Sequence, residues 1–414
     1  MMLRIIHTCL LLCVALLTAA QTPAIFLLSG DTAWRSKNMM ALVGGQGVIG
    51  SNALDVEFMK KSLLGGHLDR DHLDQLADGM PLRARAGYDG FGQLELLNFR
   101  DTLFGNPNLG LRASVGSYYH GNIGFSPEAF RTVYLGNSNH SSQSVAMGPL
   151  SYQNQAWQKF GFGLFNKKTL SGFTVSLVEG QRFQQLVADA ADLYTSPLGD
   201  SLSLAVEGDF FRSDTARMGW ANGSGIGASI DFDYNLLLPQ SKGVVSVSVR
   251  NLGFVVWNEA SEHYEVNSSI DWNGLNVNNW IDGTEDTLSL PNWQDSLNNG
   301  RTQTSFARPL PASIAFRYMK QWKGKHFWET GFTLFPNRVA VPQVYAGLVH
   351  ALTNRLWISE RISYGGYSEF SLGVEVNWLS KNSWFVKAGT SQLEGWLLPM
   401  AGGRSVYMNL GKNF

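Results

Sequence analysis

The chain reads as an all-β protein: a transmembrane antiparallel up-and-down β-barrel of about fourteen strands, with a short N-terminal plug or helical segment. Three observations lead there. The N-terminus has the pattern of an export signal, segment after segment alternates apolar with polar residues, and the last strand ends on a bare phenylalanine. Composition narrows the field further. The 414 residues are 16% charged and 12% aromatic, and 32 basic against 33 acidic residues leave a net charge of -1. That balance excludes a nucleic-acid binder, whose phosphate contacts need a basic excess. A mean hydropathy of -0.09 is too low for a bundle of membrane helices.

In residues 1–20, Arg4 opens a weakly basic region, Leu10 to Leu17 form the apolar stretch, and Thr18, Ala19 and Ala20 offer small residues for cleavage. Both cysteines of the chain, Cys9 and Cys13, fall inside this signal, so the mature protein is expected to hold neither a disulfide nor a thiolate metal site. Residues 21–80 follow as a plug or helical segment. Within it, 52–78 places Leu54, Phe58, Leu63, Leu68, Leu73 and Leu76 at helical spacing, with Asp69 or Asp71 as an N-cap. A plug in the lumen and a periplasmic appendage both suit it. A second helical spacing, Phe183, Leu186, Val187, Ala190 and Tyr194, predicts a helix over 183–194.

From residue 81 to 414 the period is two. Ile226, Ala228, Ile230, Phe232, Tyr234 and Leu236 alternate with small or polar residues that include Asp231 and Asp233. Phe370, Leu372, Val374, Val376 and Trp378 alternate with a set that includes Glu375. Leu202, Leu204 and Val206 form another such segment, and further strands are expected over 82–99, 109–119, 157–165, 171–179, 245–250, 312–320, 327–334, 343–350, 355–364, 383–390 and 404–414. A soluble sandwich hides its apolar face, whereas a membrane barrel turns that face to lipid and keeps the polar one inside. Charges in mid-segment suit a hydrated lumen, and Arg112, Asp231, Asp233, Arg317, Arg361 and Glu375 are the candidate lumen charges. Trp257, Trp322, Trp328, Trp357, Trp378 and Trp384 stand near segment ends, where interfacial girdles form.

The C-terminus decides between the two. Val406, Met408, Leu410 and Phe414 mark an alternating strand that resembles the signal by which the insertion machinery recognises outer-membrane barrels; Lys412 replaces the aromatic usual two positions before the end. A closed barrel also removes the unpaired edges that lipid excludes. Lipid of the outer membrane of a Gram-negative cell and that machinery are therefore the first expected partners. Counting back from a periplasmic Phe414 puts the long segment 258–311 outside the cell. Its Trp272, Trp280 and Trp293 are candidates for an outer-loop interaction. The same parity leaves 120–156 and 180–200 as long periplasmic segments, against the usual asymmetry of short inner turns, so that either periplasmic structure or a strand miscounted by one is implied.

Chemistry is sparse. The run from Asp69 lacks the glycine that a calcium loop requires, and no serine sits in a nucleophile elbow. Asp282, Glu285 and Asp286 in the outer loop are the one set of hard oxygens suited to calcium, although solvated acidic charge is the plainer account. No cofactor and no enzymatic activity are expected.

Several stretches together resemble a family of uncharacterised outer-membrane barrels from Bacteroidota. They are Ser51-Asn52-Ala53-Leu54, Phe125-Ser126-Pro127 with Gly136-Asn137, Gly161-Phe162-Gly163-Leu164-Phe165, Val247 to Phe254 with Trp257, and Leu310-Pro311. That family is related to barrels of type IX secretion and gliding (the PorP/SprF and PorV kinds), and more distantly resembles the fatty-acid-transporter barrel with fourteen strands and an N-terminal plug. The resemblance implies location and fold, and no functional residues. Two functions remain open. One is a structural or accessory barrel that binds an outer-membrane or periplasmic protein, as in type IX secretion or surface-protein assembly. The other is a fatty-acid-transporter-like barrel moving a hydrophobic or small solute.

Overall fold

The computed structural model describes residues 38–100, 102–137, 140–217, 219, 222–272 and 300–414. The expected signal peptide lies outside them, as do Trp280, Trp293 and the acidic cluster Asp282, Glu285 and Asp286. Fourteen antiparallel strands close into a barrel. In order around the ring they are β1 (Met39–Ser51), β2 (Ala84–Asn98), β3 (Leu109–Phe125), β5 (Leu150–Asn166), β6 (Gly172–Thr195), β8 (Gly225–Leu238), β9 (Gly243–Trp257), β13 (Ser313–Lys323), β14 (His326–Leu334), β15 (Val341–Ala351), β16 (Leu356–Gly366), β17 (Phe370–Leu379), β18 (Trp384–Thr390) and β19 (Gly403–Asn413). The ring closes where β1 pairs with β19 in register from Met40↔Asn413 to Gly50↔Gly403. With an even strand number both described chain ends fall at one rim, where Asn38 N donates to Phe414 O at 3.0 Å. That rim carries short turns, and the opposite rim carries the long connections.

The barrel is inside out by the standard of a soluble protein. On β17, Phe370, Leu372, Val376 and Trp378 are exposed while Ser371, Glu375 and Asn377 are buried. On β8, Ile226 is 70% exposed while Asp231 and Asp233 face inward onto cationic partners. An apolar outer belt around a polar interior is the arrangement that lipid selects. Four of the six tryptophans expected in girdles stand outward at the short-turn rim: Trp322, Trp378 and Trp384 are exposed and Trp328 is half-buried. Trp257 and Trp357 instead point inward and are buried, because their positions fall on the lumen side of the alternation.

Three expectations need correction. The wall begins at Met39 rather than at residue 81, so β1 lies within the stretch read as plug. The segment from Leu202 is β7 (Leu202–Arg212), which is absent from the ring. It pairs with the distal half of the 24-residue β6 and with β10 (Glu262–Trp272), forming a sheet beyond the long-loop rim that β4 (Ser144–Ala146) and β11 (Arg301–Gln303) edge. The short β12 (Phe306–Pro309) returns the chain to β9. One strand missed and one counted in excess leave the total at fourteen but invert the parity upstream of β8. The described residues of segments 126–149 and 196–224 accordingly stand at the long-loop rim. The third correction is 183–194, which is strand and not helix: a bulge between Ala188 and Ala190 breaks the two-residue period of β6 and mimics helical spacing.

Residues 52–78 are helical, split by Gly65 (φ 77°) into α1 (Val56–Leu64) and α2 (Arg70–Asp78). Asp55 caps α1 by accepting from Phe58 N at 2.8 Å, and Asp69 caps α2 by accepting from Asp71 N at 2.9 Å. The pair connects β1 to β2 at the long-loop rim. Val56, Phe58, Met59, Leu73 and Ala77 pack there on Phe130, which follows β3 in the short helix α3 (Pro127–Phe130). No residue of α1 or α2 lines the lumen cavity, so the described helices cap the rim; residues 21–37 of the expected plug segment lie outside the described residues.

Candidate functional site in the barrel lumen

The interior is layered. At the short-turn rim the alternation fails on purpose: inward positions there are apolar. Met40 and Leu42 of β1, Leu97 of β2, Phe165 of β5, Met319 of β13 and Phe385 of β18 are each at most 2% exposed, and Phe99, Leu170, Val244, Val349, Trp357 and Leu379 complete the layer. Fully burying each such side chain stabilises by about 1.5–3 kcal/mol. Together they form an apolar floor across the lumen.

Above the floor stand two charged clusters on opposite walls. On the β2–β9 wall, Arg112 Nε pairs with Glu95 Oε1 at 2.7 Å and Arg112 Nη1 donates to Asp233 Oδ2 at 2.9 Å, while Arg250 Nη2 donates to Asp233 Oδ1. Lys159 Nζ donates to Asp231 Oδ2 at 2.6 Å and to Asn251 Oδ1 at 2.9 Å. Asn251 sits in a bulge at φ 55°, a left-handed conformation that asparagine tolerates, and its N–H donates to Asp231 Oδ1 at 2.7 Å. Three carboxylates face three cations here.

On the β13–β19 wall, Glu329 accepts from Arg361 and forms an ion pair with Arg317. Arg361 also lies 3.7 Å from Glu375, whose carboxylate takes Lys387 Nζ at 3.1 Å, Tyr407 OH at 2.9 Å and Asn377 Nδ2 at 2.8 Å. Two carboxylates against three cations leave this wall one positive charge. Nearer the long-loop rim, His120 Nδ1 lies 2.6 Å from Asp89 Oδ1, and Asn122 Nδ2 donates to His120 Nε2 at 2.9 Å. Both ring nitrogens of His120 are engaged.

These groups enclose a cavity of about 440 Å³, lined among others by Glu95, Arg112, Lys159, Asp233, Arg361 and Glu375. A second space of about 200 Å³ adjoins it at His120, Pro311 and Asn337. Over the mouth folds the turn 335–340, where Asn337 Oδ1 accepts from Val339 N at 2.9 Å and Ala340 N at 2.7 Å, and where Val339 and Ala340 pack with Phe335 on Tyr367. Gly87 is required beneath Tyr367: a Cβ there would lie 2.3 Å from the ring.

All six expected lumen charges face inward into these clusters. Their partners Glu95, Lys159, Arg250 and Glu329 were not singled out from the sequence; the signal for each was its parity within its own segment, as in Leu94-Glu95-Leu96. Trp272 ends β10, in the sheet beyond the rim. Leu410 and Phe414 of the expected insertion signal are exposed on the outward side of β19, the face that also carries Val406 and Met408. Among the described residues no group of three His, Cys, Asp or Glu is placed to hold a metal ion.

Fold and interior together define a closed β-barrel of the outer-membrane kind with a charge-ringed lumen. Residues 49–381 match DUF5723, a family of unknown function, and the chain belongs to that family. None of the curated proteins matches. Among solved structures, the toluene transporter TodX of P. putida is 10% identical, with a TM-score of 0.41 over 97% of this chain and 96% of that one. A FadL homologue of Pseudomonas aeruginosa is 9% identical, with a TM-score of 0.34 over 94% of each chain. A mutant porin of Rh. blastica is 8% identical, with a TM-score of 0.25 over 91% of this chain and all of that one. At such identities and TM-scores these likenesses carry no inference about the activity of this chain.

Proposed function

We propose that the protein is an outer-membrane barrel that admits a small polar solute from the long-loop end into the charge-ringed cavity, and that its resting state is shut at the periplasmic end by the apolar floor. The orientation follows the rule that short turns face the periplasm. The observation that carries the reading is the cavity itself: about 440 Å³ bounded by ionised groups of both signs. Such a lining suits a solute that exchanges hydrogen bonds with charges, and penalises a hydrocarbon, which would displace water from them and return no hydrogen bond. The uncompensated cation on the β13–β19 wall favours a solute carrying a carboxylate or phosphate.

The test is uptake into vesicles holding the purified protein, with glucose, lysine and glutamate as the panel. Saturable entry of the anionic member, lowered by Lys387→Gln, is the expected result. Absence of both entry and binding for every member would overturn the reading.

A second reading, docking of a protein partner at the outer rim, is favoured by one observation. Leu63, Leu64, Leu397, Leu398 and Met400 are all more than half exposed at the long-loop rim, beyond the strands that carry the lipid belt. Type IX secretion has no support from the family match or the fold.

A further inference from the structure

A net charge of -1 conceals a separation of charge along the barrel axis. The helices at the long-loop rim and the cap of the second carry Glu57, Asp69, Asp71, Asp74 and Asp78 against Lys60, Lys61 and Arg70, an acidic excess. At the other rim, the turns that follow β2, β5, β8, β13, β15 and β17 each contain Lys or Arg, and no Asp or Glu stands among their described residues. Asp101, in the first of these turns, lies outside the described residues.

The cations are densest along β9 to β16. Lys242 precedes β9, and its carbonyl accepts from Gln321 N at 3.1 Å, which brings it beside Lys320 and Lys323 of β13. Lys323 pairs in register with His326, and Lys325 Nζ donates to Asn354 Oδ1 at 3.1 Å, next to Arg355. Met319 points into the floor, so Lys320 and Trp322 fall on the lipid-facing side, and Trp322 is 69% exposed. Just above, Tyr318 and Trp328 meet edge to face with ring centroids 5.1 Å apart. The apolar belt continues upward through Phe316 and Ile314.

We infer that this edge is a binding surface for the anionic headgroups of phospholipids in the periplasmic leaflet. The chemistry is complementary from end to end. Aromatic rings sit at headgroup depth, ammonium and guanidinium groups face the phosphates, and the acyl chains run on over a surface that already meets lipid. Acidic proteins would meet the same cations, but short turns at the foot of a membrane wall offer them little relief to grip. The inference rests on the membrane reading above and adds to it a lipid class and a location.

The test uses the full-length protein and a variant carrying Lys242→Gln, Lys320→Gln, Lys323→Gln and Lys325→Gln. Both are inserted into vesicles of equal parts phosphatidylglycerol and phosphatidylcholine and re-extracted in mild detergent, and the retained lipids are counted by native mass spectrometry. The parent is expected to retain phosphatidylglycerol in about tenfold preference, the variant to fall to near parity, and Lys→Arg replacements at the same four positions to restore the preference. Equal retention of the two lipids by the parent, or an unchanged preference in the variant, would overturn the inference. Folding into pure phosphatidylcholine, read by heat-sensitive gel mobility, is scored separately. If the parent inserts into neither vesicle, the membrane reading itself fails and takes this surface with it.

Discussion

Replacing Glu329 by glutamine asks whether the lumen charges hold the barrel together. The side chain is buried between two guanidinium groups, and the substitution keeps its shape while removing its charge. At about 4 Å between charge centres and an effective dielectric of about 20, each arginine loses about 4 kcal/mol of attraction. The carboxylate's own desolvation cost is recovered, and Arg361 still has Glu375 at 3.7 Å. Arg317 forms no other ion pair with a described residue. Breaking a buried pair by removing one partner costs about 3–5 kcal/mol, and the remaining partner of Arg361 puts the expected loss near the lower end, about 3 kcal/mol. Urea titration in detergent, with folded fraction read by gel mobility and tryptophan emission, measures it. Adding Arg317→Met should recover about half the loss, since the stranded cation goes with it. A Glu329→Gln protein within about 0.5 kcal/mol of the parent would refute the argument, because the charges would then be solvated rather than joined.

Replacing Phe165 and Phe385 together by alanine should thin the floor and turn a silent barrel into a conducting one in planar bilayers, at a stability cost of about 3–5 kcal/mol per ring; a variant that folds and stays silent would show that the seal lies elsewhere. Gly87→Ala should displace Tyr367 and loosen the turn 335–340, costing about 1–3 kcal/mol and raising hydrogen exchange there. Asp55→Ala removes the cap of α1 and the contact to His72 at 2.7 Å, so exchange across 56–64 should rise, with a local loss of about 1 kcal/mol or more. Burial raises the Glu394 carboxyl above its usual range, against a hydrogen bond from Leu372 N. The folded state therefore holds that proton more tightly, and ionisation loosens the 391–402 segment as pH rises past about 4.5; Glu394→Gln should abolish that pH dependence of exchange in the segment and leave the acid limit unchanged.

The two-residue period made the wall legible, and parity within each segment was enough to aim Arg112, Asp231 and Glu375 inward. Membership of the ring was not legible, because β7 alternates like any wall strand although it stands clear of the belt. β1 escaped notice because Gly44, Gly45, Gly47 and Gly50 erase the contrast between its faces and its partner β19 lies at the far end of the chain. Ion pairs such as Arg112 with Asp233 depend on register across several strands, which no local pattern records. The floor was hidden for a related reason: Leu97 beside Leu96 looks like lost alternation until the inward side of every strand is seen to turn apolar at the same depth.

At about 3.3 Å per residue, the 24 residues of β6 extend for about 80 Å, against a lipid belt only about 25 Å tall. Even with a tilt near 40°, a ribbon rising about 35 Å extends beyond a belt of that height. Its tip is the turn 196–201. In the orientation proposed above, an antibody, a phage fibre or a neighbouring cell surface would meet that ribbon before it met the barrel, and an epitope tag placed there would report surface display without disturbing a single strand of the ring.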